Sequence, residues 1–324
     1  MRRLYFIILL GQISLNALAQ FPPPAGVEGT TAIHQDSSII VAWAKSCQIQ
    51  RGYLDIAMPD SGFVDFGEVE NGVGQADQAI VSLGDGGTAI LEFEQPIING
   101  PGPDFAIFEN SFSDEFLELA LVYVSSNGVD YDLFPAISLT QSETQVEGFG
   151  TLDATKIHNL AGKYRMAYGT PFDLEELEAE LGKEINQITH IKIVDVIGSI
   201  NEDFASFDSQ GNIINDPYPT PFPSGGFDLD AVGVIHHATA THELIQLKQQ
   251  ILVYPNPSNG RFYIENRGDL QIQYIIIFNV QGQVVYESRF SKIFEKMEID
   301  LPQGSYLVKF ISEFGSFGEV LLVF

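Results

Sequence analysis

Short apolar runs separated by turn residues dominate the middle of the chain. Five of these runs occupy residues 88–94, 104–109, 118–124, 188–197 and 227–235. They alternate apolar and polar positions or are apolar throughout, and glycine, proline or asparagine bounds them, which is typical of β-strands. Their density predicts an all-β sandwich.

One segment has helical periodicity instead. Its leucines recur at spacings of three and four, and Gly182 follows as a stop signal. The sequence therefore predicts a helix over residues 173–181. Its acidic side chains are expected to form a solvated face rather than a site.

The N-terminus has the pattern of a secretory signal peptide. Two basic residues precede an apolar run, and a small-x-small cleavage motif follows: Arg2 and Arg3, residues 4–10, then Ala17 and Ala19. The apolar run is too short to cross a bilayer, which takes about 20 residues, and no other segment is predicted to span a membrane. We therefore expect residues 1–19 to be removed. Gln20, not cysteine, follows the motif, so lipid anchoring there is not expected.

The negative charge of the chain is concentrated in one region. The formal net charge is −27, and residues 20–250, with 8 basic and 35 acidic residues, account for all of it. Nucleic acid and anionic membrane surfaces are disfavoured as partners, because both need a basic face. Cys47 is the single cysteine, so no disulfide can form within the chain, and we expect a buried structural thiol.

The last quarter of the chain carries a recognisable set of motifs. They are a Tyr-Pro-Asn-Pro opening, a glycine and an aromatic residue after it, and a turn before the closing strand: Tyr254, Pro255, Asn256, Pro257, Gly260, Phe262, Gly304 and Tyr306. On these residues the segment resembles the type A C-terminal sorting domain of the type IX secretion pathway of certain Gram-negative bacteria. The resemblance implies a small Ig-like β-sandwich of about seven strands. It also implies recognition by the type IX secretion machinery, cleavage, and attachment to a surface glycolipid.

Four parts are therefore predicted along the chain. They are a signal peptide (1–19), an acidic β-sandwich domain (20–237), a linker without a strong apolar period (238–250) and the sorting domain (251–324). The predicted location is the cell surface or the extracellular space, reached through the periplasm and across the outer membrane.

Several motifs of the central region occur together in a second family. They lie at residues 81–87, 99–110, 124–129, 169–174, 216–220 and 224–232. On these motifs the region resembles an uncharacterised family of secreted or surface proteins. Its strand order looks like that of discoidin and carbohydrate-binding jelly rolls, so the resemblance implies a jelly-roll-like β-sandwich. A likeness of fold sets only a prior on function.

Two acidic motifs of this region suggest a calcium site. Calcium takes six to eight oxygen ligands, and two strands are flanked by suitable side chains: Asp104, Glu109 and Asn110 on one, Asp228 and Asp230 on the other. In jelly-roll binding modules, acids from an early and a late strand commonly meet at one structural calcium. Asp228 and Asp230 are two residues apart and are expected to face the same side of a strand. The alternative is that both face solvent.

A further stretch, residues 208–212, has oxygen-bearing side chains at alternate positions, as at the start of a calcium loop. It lacks the glycine and glutamate spacing of an EF-hand. A hairpin turn around Gln210 and Gly211 is the favoured interpretation.

Catalytic motifs are scarce in the sequence. It has no Gly-x-Ser-x-Gly, His-Glu-x-x-His or phosphate-binding Gly-x-x-x-x-Gly-Lys motif. Asp114 with Glu115 or Glu118 could form a glycosidase pair, but acids are so frequent here that such pairs arise by chance. The adjacent His236 and His237 could bind a transition metal, but neighbouring residues of a strand point to opposite faces, which disfavours a shared ion.

These observations lead to one hypothesis and two alternatives. The leading hypothesis is a non-catalytic, calcium-stabilised binding or adhesion protein at the cell surface, with a glycan, a protein or a small molecule as its ligand. Some of the aromatic residues in or beside predicted loops are candidates for the binding surface, although most are expected to pack in the core or within loops: Tyr53, Phe63, Phe66, Phe112, Phe116, Tyr131, Tyr168, Tyr218 and Phe222. The alternatives are a secreted polysaccharide-acting hydrolase and a structural component of a surface layer.

Overall fold

The computed structural model describes residues 21–183, 185, 187–238, 247–268, 271–289 and 296–324. The predicted signal peptide, with Ala17 and Ala19, lies outside the described residues, as do residues 239–246 of the predicted linker. The chain divides into two compact units, Met1–His236 and His237–Phe324.

The first unit consists mainly of β-strands. In chain order they are β1 (Ile33–His34), β2 (Ala42–Trp43), β3 (Ser46–Gln50), β4 (Val81–Ser82), β5 (Thr88–Ile97), β6 (Phe105–Glu109), β7 (Ala120–Ser125), β8 (Asp132–Leu133), β9 (Ile137–Ser138), β10 (Ile157–His158), β11 (Tyr168–Phe172), β12 (Ile188–Asp195) and β13 (Asp228–Val234). Three short 3-10 helices lie between strands, at Pro59–Ser61, Val69–Gly72 and Ala154–Lys156.

Two antiparallel sheets face each other in this unit. Sheet A has the order β1-β11-β6-β13-β2, with β4 also paired to β13, and sheet B has the order β3-β5-β12-β7-β8. Apolar side chains of both sheets share one core, for example Phe105 and Ile107 of sheet A with Leu91 and Ile191 of sheet B. Strands β9 and β10 form a separate pair. The predicted all-β sandwich is confirmed.

Strands β6 and β13 lie in the middle of sheet A and are buried along their whole length. Phe105 and Ile107 enter the core between the sheets, whereas Ala106 and Phe108 lie in a second cluster on the other face. Because side chains alternate along a strand, Glu109 continues the row of Phe105 and Ile107. The sequence of β6 therefore places a carboxylate at the end of an apolar row that faces the other sheet.

The predicted helix is confirmed as α1 (Leu174–Leu181). Asp173 caps its N-terminus by accepting a hydrogen bond from the backbone N–H of Glu175, and Gly182 ends it in the left-handed conformation (φ 64°). Leu174 and Leu177 are buried in the core of the unit, which anchors the helix.

Cys47 lies half-buried on strand β3 and packs against the main core. Burial raises the pKa of its thiol to about 12, although the nearby Arg51 charge acts in the opposite direction. The thiol is therefore protonated at neutral pH, as a structural cysteine requires.

The second unit is a smaller sandwich, with seven strands among its described residues. They are β14 (Ile251–Tyr254), β15 (Arg261–Asn266), β16 (Tyr274–Asn279), β17 (Val284–Arg289), β18 (Lys296–Asp300), β19 (Gly304–Ser312) and β20 (Gly315–Val323). They form one sheet of order β14-β15-β18 and another of order β17-β16-β19-β20. The shared core includes Phe262, Ile277, Val308 and Phe310. Residues 247–250 are helical, and Leu247 is buried in this core.

The opening motif of this unit is attached to its last strand. Asn256 donates its side-chain amide to the carbonyl oxygen of Val320 (2.6 Å) and accepts from the N–H of Leu322 (3.1 Å). The N–H of Ser258 donates to the carbonyl oxygen of Leu322. Tyr306 is buried and donates its hydroxyl to the carbonyl oxygen of Pro302. The motif residues thus connect the first and last strands of the sandwich.

Candidate functional site

Three buried carboxylates converge at one end of the first unit. Glu109, Glu118 and Asp228 each have an oxygen within 4.8 Å of an oxygen of the other two. Their side chains are 1%, 9% and 7% exposed. We refer to these three residues as the carboxylate triad.

The pairing of the strands explains why the triad forms. Glu109 ends β6, and its register partner on the antiparallel strand β13 is Leu229, so Asp228 at the start of β13 lies beside it. Glu118 comes two residues before β7, which belongs to sheet B. The triad therefore brings together two residues of sheet A and one from the segment that leads into sheet B.

Two further buried carboxylates hold the segments that carry the triad. Asp195 accepts hydrogen bonds from the N–H groups of Gly86 (3.0 Å) and Phe227 (2.7 Å), and Phe227 directly precedes Asp228. Asp216 accepts from the N–H of Leu119 (2.7 Å), the residue after Glu118. These bonds orient the backbone on either side of the cluster.

The triad is electrostatically strained as a set of three anions. Burial raises the pKa of Glu109 well above its usual range, and the charges of Glu118 and Asp228 raise it further. Burial also raises the pKa of Glu118, and the charge of Asp228 raises it further. Burial raises the pKa of Asp228 to about 7. Arg51, the cation that acts on Asp228, donates its own hydrogen bonds to backbone carbonyls, including that of Phe66.

One fully buried oxygen of the triad has no hydrogen-bond partner among the described residues. Glu109 Oε2 accepts from the N–H of Ser111 (2.8 Å), and Asp228 Oδ1 accepts from the hydroxyl of Ser82. Glu109 Oε1 is buried and has no hydrogen-bond partner among the described residues. A buried oxygen of this kind is costly unless a ligand satisfies it.

A pocket of about 310 Å³ opens beside the triad. Glu118 and Asp228 line it together with Asn110, Thr220 and Ser224. Four phenylalanines stand at the pocket in a row, with ring centroids 4.6 Å, 6.1 Å and 5.6 Å apart: Phe112, Phe116, Phe149 and Phe222. We call this set the phenylalanine row.

The phenylalanine row is formed by three different loops and is unusually exposed. Phe112, Phe149 and Phe222 are 67%, 72% and 43% exposed. Gly148 permits the approach of the loop that carries Phe149, since a Cβ at this position would lie 2.3 Å from the carbonyl oxygen of Pro219. A contiguous exposed apolar surface of this kind is typical of a binding site.

The structure brings together some of the predicted calcium ligands and separates others. Glu109 and Asp228 meet in the triad, and Asn110 lines the adjacent pocket. Asp104 lies five residues before Glu109 along β6, a separation of about 16 Å at the rise of an extended strand. There it accepts hydrogen bonds from Gly100 N–H and Leu174 N–H, and it pairs with His236 at 2.8 Å.

Asp230 is separated from Asp228 by an irregularity of the strand. The pairing of β13 with β6 shifts between Leu229 and Ala231, so that Asp230 is the extra residue of a β-bulge. Asp230 Oδ1 accepts from the N–H groups of Asp77 and Gln78 instead. The simple alternation that predicts a same-side pair is interrupted at this point.

Other acidic candidates have structural partners. Asp114 forms an ion pair with Arg165 (2.6 Å), and it is not a member of the carboxylate triad. Asp208 accepts from the N–H groups of Gln210 and Asn212 inside a hairpin closed by the bridge between residues 207 and 213. The hairpin interpretation of residues 208–212 is confirmed.

The sequence does not mark two residues of the site as metal or aromatic candidates. Glu118 is predicted only as a member of a catalytic pair, although it is a lone acid between Leu117 and Leu119, which are both buried. Phe149 stands between Gly148 and Gly150 in a polar segment. An acid enclosed by core residues and an aromatic residue flanked by glycines were the available signals.

Solved structures similar to the chain share little with it. A Ruminococcus gnavus β-glucuronidase in complex with uronic isofagomine is 9% identical over 94% of this chain and 45% of its own, with a TM-score of 0.23. A Parabacteroides merdae β-glucuronidase is 12% identical over 86% of this chain and 35% of its own (TM-score 0.19). The BSP domain of a biofilm associated protein is 11% identical over 89% and 52% (TM-score 0.19). The chain spans about half or less of each, and similarity at this level carries no argument about function.

Comparison with curated proteins finds no significant match. No helix among the described residues is long and apolar enough to cross a membrane. Residues 252–320 match the family described as the secretion system C-terminal sorting domain. The chain therefore carries a C-terminal sorting domain of the type IX secretion pathway, which directs it to the cell surface or the extracellular space.

Proposed function

We propose that the first unit is a non-catalytic binding module that the sorting domain delivers to the cell surface, where it acts in adhesion. The observation that carries this proposal is the phenylalanine row, exposed beside buried carboxylates. Four large apolar rings at the surface are unfavourable in water unless a partner covers them. The remaining polar side chains of the pocket would fix the orientation of that partner.

A glycan is the ligand class that this combination fits best. The flat apolar faces of sugar rings can stack on aromatic side chains, and sugar hydroxyls need nearby donors and acceptors. The pocket offers Asn110, Thr220 and Ser224 together with the carboxylates. Calcium would stabilise the module by neutralising the triad, which joins sheet A to the segment that leads into sheet B.

Removal of one ring at the mouth of the pocket should weaken ligand binding. We expect Phe149→Ala to lower the affinity for a glycan selected on a broad array by about tenfold, because stacking and burial of one aromatic ring are lost. Calorimetric titration of the purified protein, in calcium-containing buffer, measures the effect.

The matched control is Phe66→Ala. Phe66 is 50% exposed but does not line this pocket. Its substitution should leave the affinity unchanged. Equal affinity of Phe149→Ala and the wild-type protein, or the lack of any glycan ligand, would contradict the proposal.

A secreted polysaccharide-acting hydrolase is the second candidate. It is favoured by one observation: Glu118 and Asp228 both line the pocket and have oxygens within 4.8 Å of each other. Retaining glycosidases place two carboxyl groups about 5–5.5 Å apart. Release of reducing sugar from a polysaccharide, lost in Glu118→Gln but not in Glu115→Gln, would establish this alternative in place of the binding module.

A further inference from the structure

We infer that Glu109, Glu118 and Asp228 form a calcium site with an open side toward the phenylalanine-lined pocket, where hydroxyl groups of the ligand complete the coordination. The metal site follows from the triad alone. Direct coordination of the ligand rests on the proposed function.

The carboxylate triad has no countercharge paired with it in the described part of the chain. No ion pair among the described residues involves a member of the triad. Arg51 is directed to backbone carbonyls instead. Buried carboxylates that lack a cationic partner are normally protonated or bound to a metal ion.

One oxygen of Glu109 is buried without a partner in the part of the chain that the structure describes. Glu109 is 1% exposed, and its Oε1 has no hydrogen bond among the described residues although Oε2 has one. If protonation alone resolved the repulsion, a hydroxyl group at this oxygen would still need an acceptor. A cation held by the other two carboxylates satisfies the oxygen directly.

The ligand atoms of the triad indicate which cation it would bind. Glu109, Glu118 and Asp228 offer oxygen and neither nitrogen nor sulfur, which favours a hard cation over zinc or copper. Oxygens on opposite sides of a bound calcium lie about 4.6–5.2 Å apart. The triad oxygens all lie within 4.8 Å of one another, so a calcium coordination sphere can span them.

The open side of the proposed calcium site faces the pocket. Calcium takes six to eight ligands, and the triad brings only three carboxylates. Glu118, Asp228 and Asn110 line the pocket. The free coordination positions therefore face the volume in which a ligand would lie against the phenylalanine row.

Calcium binding is tested without any glycan. The purified full chain is stripped with EGTA and titrated calorimetrically with CaCl₂, and its melting temperature is recorded with and without calcium. We expect one bound calcium per chain and a higher melting temperature, because an ion that binds only the folded state stabilises it. Absence of calcium binding, or equal affinity for magnesium, would overturn the inference.

Isosteric variants locate the ion. Glu118→Gln and Glu109→Gln remove charge with little change of shape, and each should weaken calcium binding by about 100-fold, since the number of charged ligands sets the affinity. The control is Asp230→Asn on the same strand, which is buried and lies outside the triad. It should bind calcium as the wild-type protein does. Loss of binding in the control together with retention in the triad variants would place the ion elsewhere.

Glycan titrations in calcium and in EGTA separate the two parts of the inference. Binding in calcium that is lost in EGTA supports direct coordination. Glycan binding that persists in EGTA preserves the proposed function but overturns direct coordination. Calcium binding with no glycan ligand preserves the metal site and contradicts the proposed function.

Discussion

Deletion of residues 251–324 should leave the protein in the periplasm. The deleted segment contains all seven described strands of the second unit, and none of them belongs to sheet A or sheet B. The first unit should therefore fold without it and lose only the part that the secretion machinery recognises. We expect essentially no protein at the cell surface or in the medium of a bacterium with a type IX pathway. Fractionation with immunoblotting, combined with protease treatment of intact cells, measures this.

A pocket variant is the control for this experiment. Full-length Phe149→Ala should reach the surface in normal amounts, because the phenylalanine row belongs to the first unit and delivery depends on the second. Surface exposure of the truncated chain would show that residues 251–324 are not needed for export.

The stability of the protein without calcium should decrease as the pH rises from 4 to 8, and Asp85 should account for a large share of this decrease. Asp85 is 4% exposed and accepts a hydrogen bond from the N–H of Ile56 (2.8 Å). Burial raises the pKa of its carboxyl to about 7, and the charge of Asp55 also raises it. The groups that interact with it are acids and a tyrosine: Asp55, Asp195, Asp216 and Tyr218.

The sign follows from proton binding. Between the ordinary pKa of an aspartate and about 7, the folded protein holds a proton on Asp85 that the unfolded chain has released. Stability contributed by this proton is complete below pH 4 and is lost as the pH passes 7. The pKa rises from 3.8 to about 7 on folding, so the loss of unfolding free energy due to Asp85 is at most about 4 kcal/mol.

Asp85→Asn isolates this contribution. An amide oxygen can still accept from Ile56 N–H, and the variant cannot ionise. We expect it to match the wild-type protein at pH 4 and to exceed its free energy of unfolding at pH 8 by about 1–4 kcal/mol. Urea unfolding in EGTA at several pH values measures the difference. The control is Asp36→Asn, which alters a carboxylate that is 83% exposed. It should leave the free energy of unfolding unchanged at both pH 4 and pH 8. A variant no more stable than wild type at pH 8 would contradict the assignment.

Local patterns in the sequence predicted those elements that depend mainly on local physics. The strands at residues 104–109 and 227–235 and the helix at 173–181 were correctly located, because turn residues, apolar alternation and capping act over a few residues. Gly182 ends α1 as expected, whereas Asp173, the first residue of the predicted helix, is the N-cap that precedes it. The sorting domain was identified from its motif, and residues 252–320 match that family.

The composition of the site was only partly visible from the sequence. The sequence predicts Glu109 and Asp228 as ligands because they flank strands that could be neighbours. Asp230 follows from alternation alone, and a β-bulge separates it from Asp228. Glu118 lies on the segment that leads into β7 of the other sheet, and no local rule states which residue of that segment will approach the end of β6.

The sequence by itself determined the all-β class of the chain, the location of its acidic charge and the identity of its sorting domain. Each depends on residue types and spacing within one segment. Tertiary structure alone decided which carboxylates meet and which phenylalanines form a row. Two of those contacts, Glu109 with Asp228 and Phe149 with Phe222, join residues about 70–120 positions apart. They depend on strand register, a bulge and the packing of two sheets.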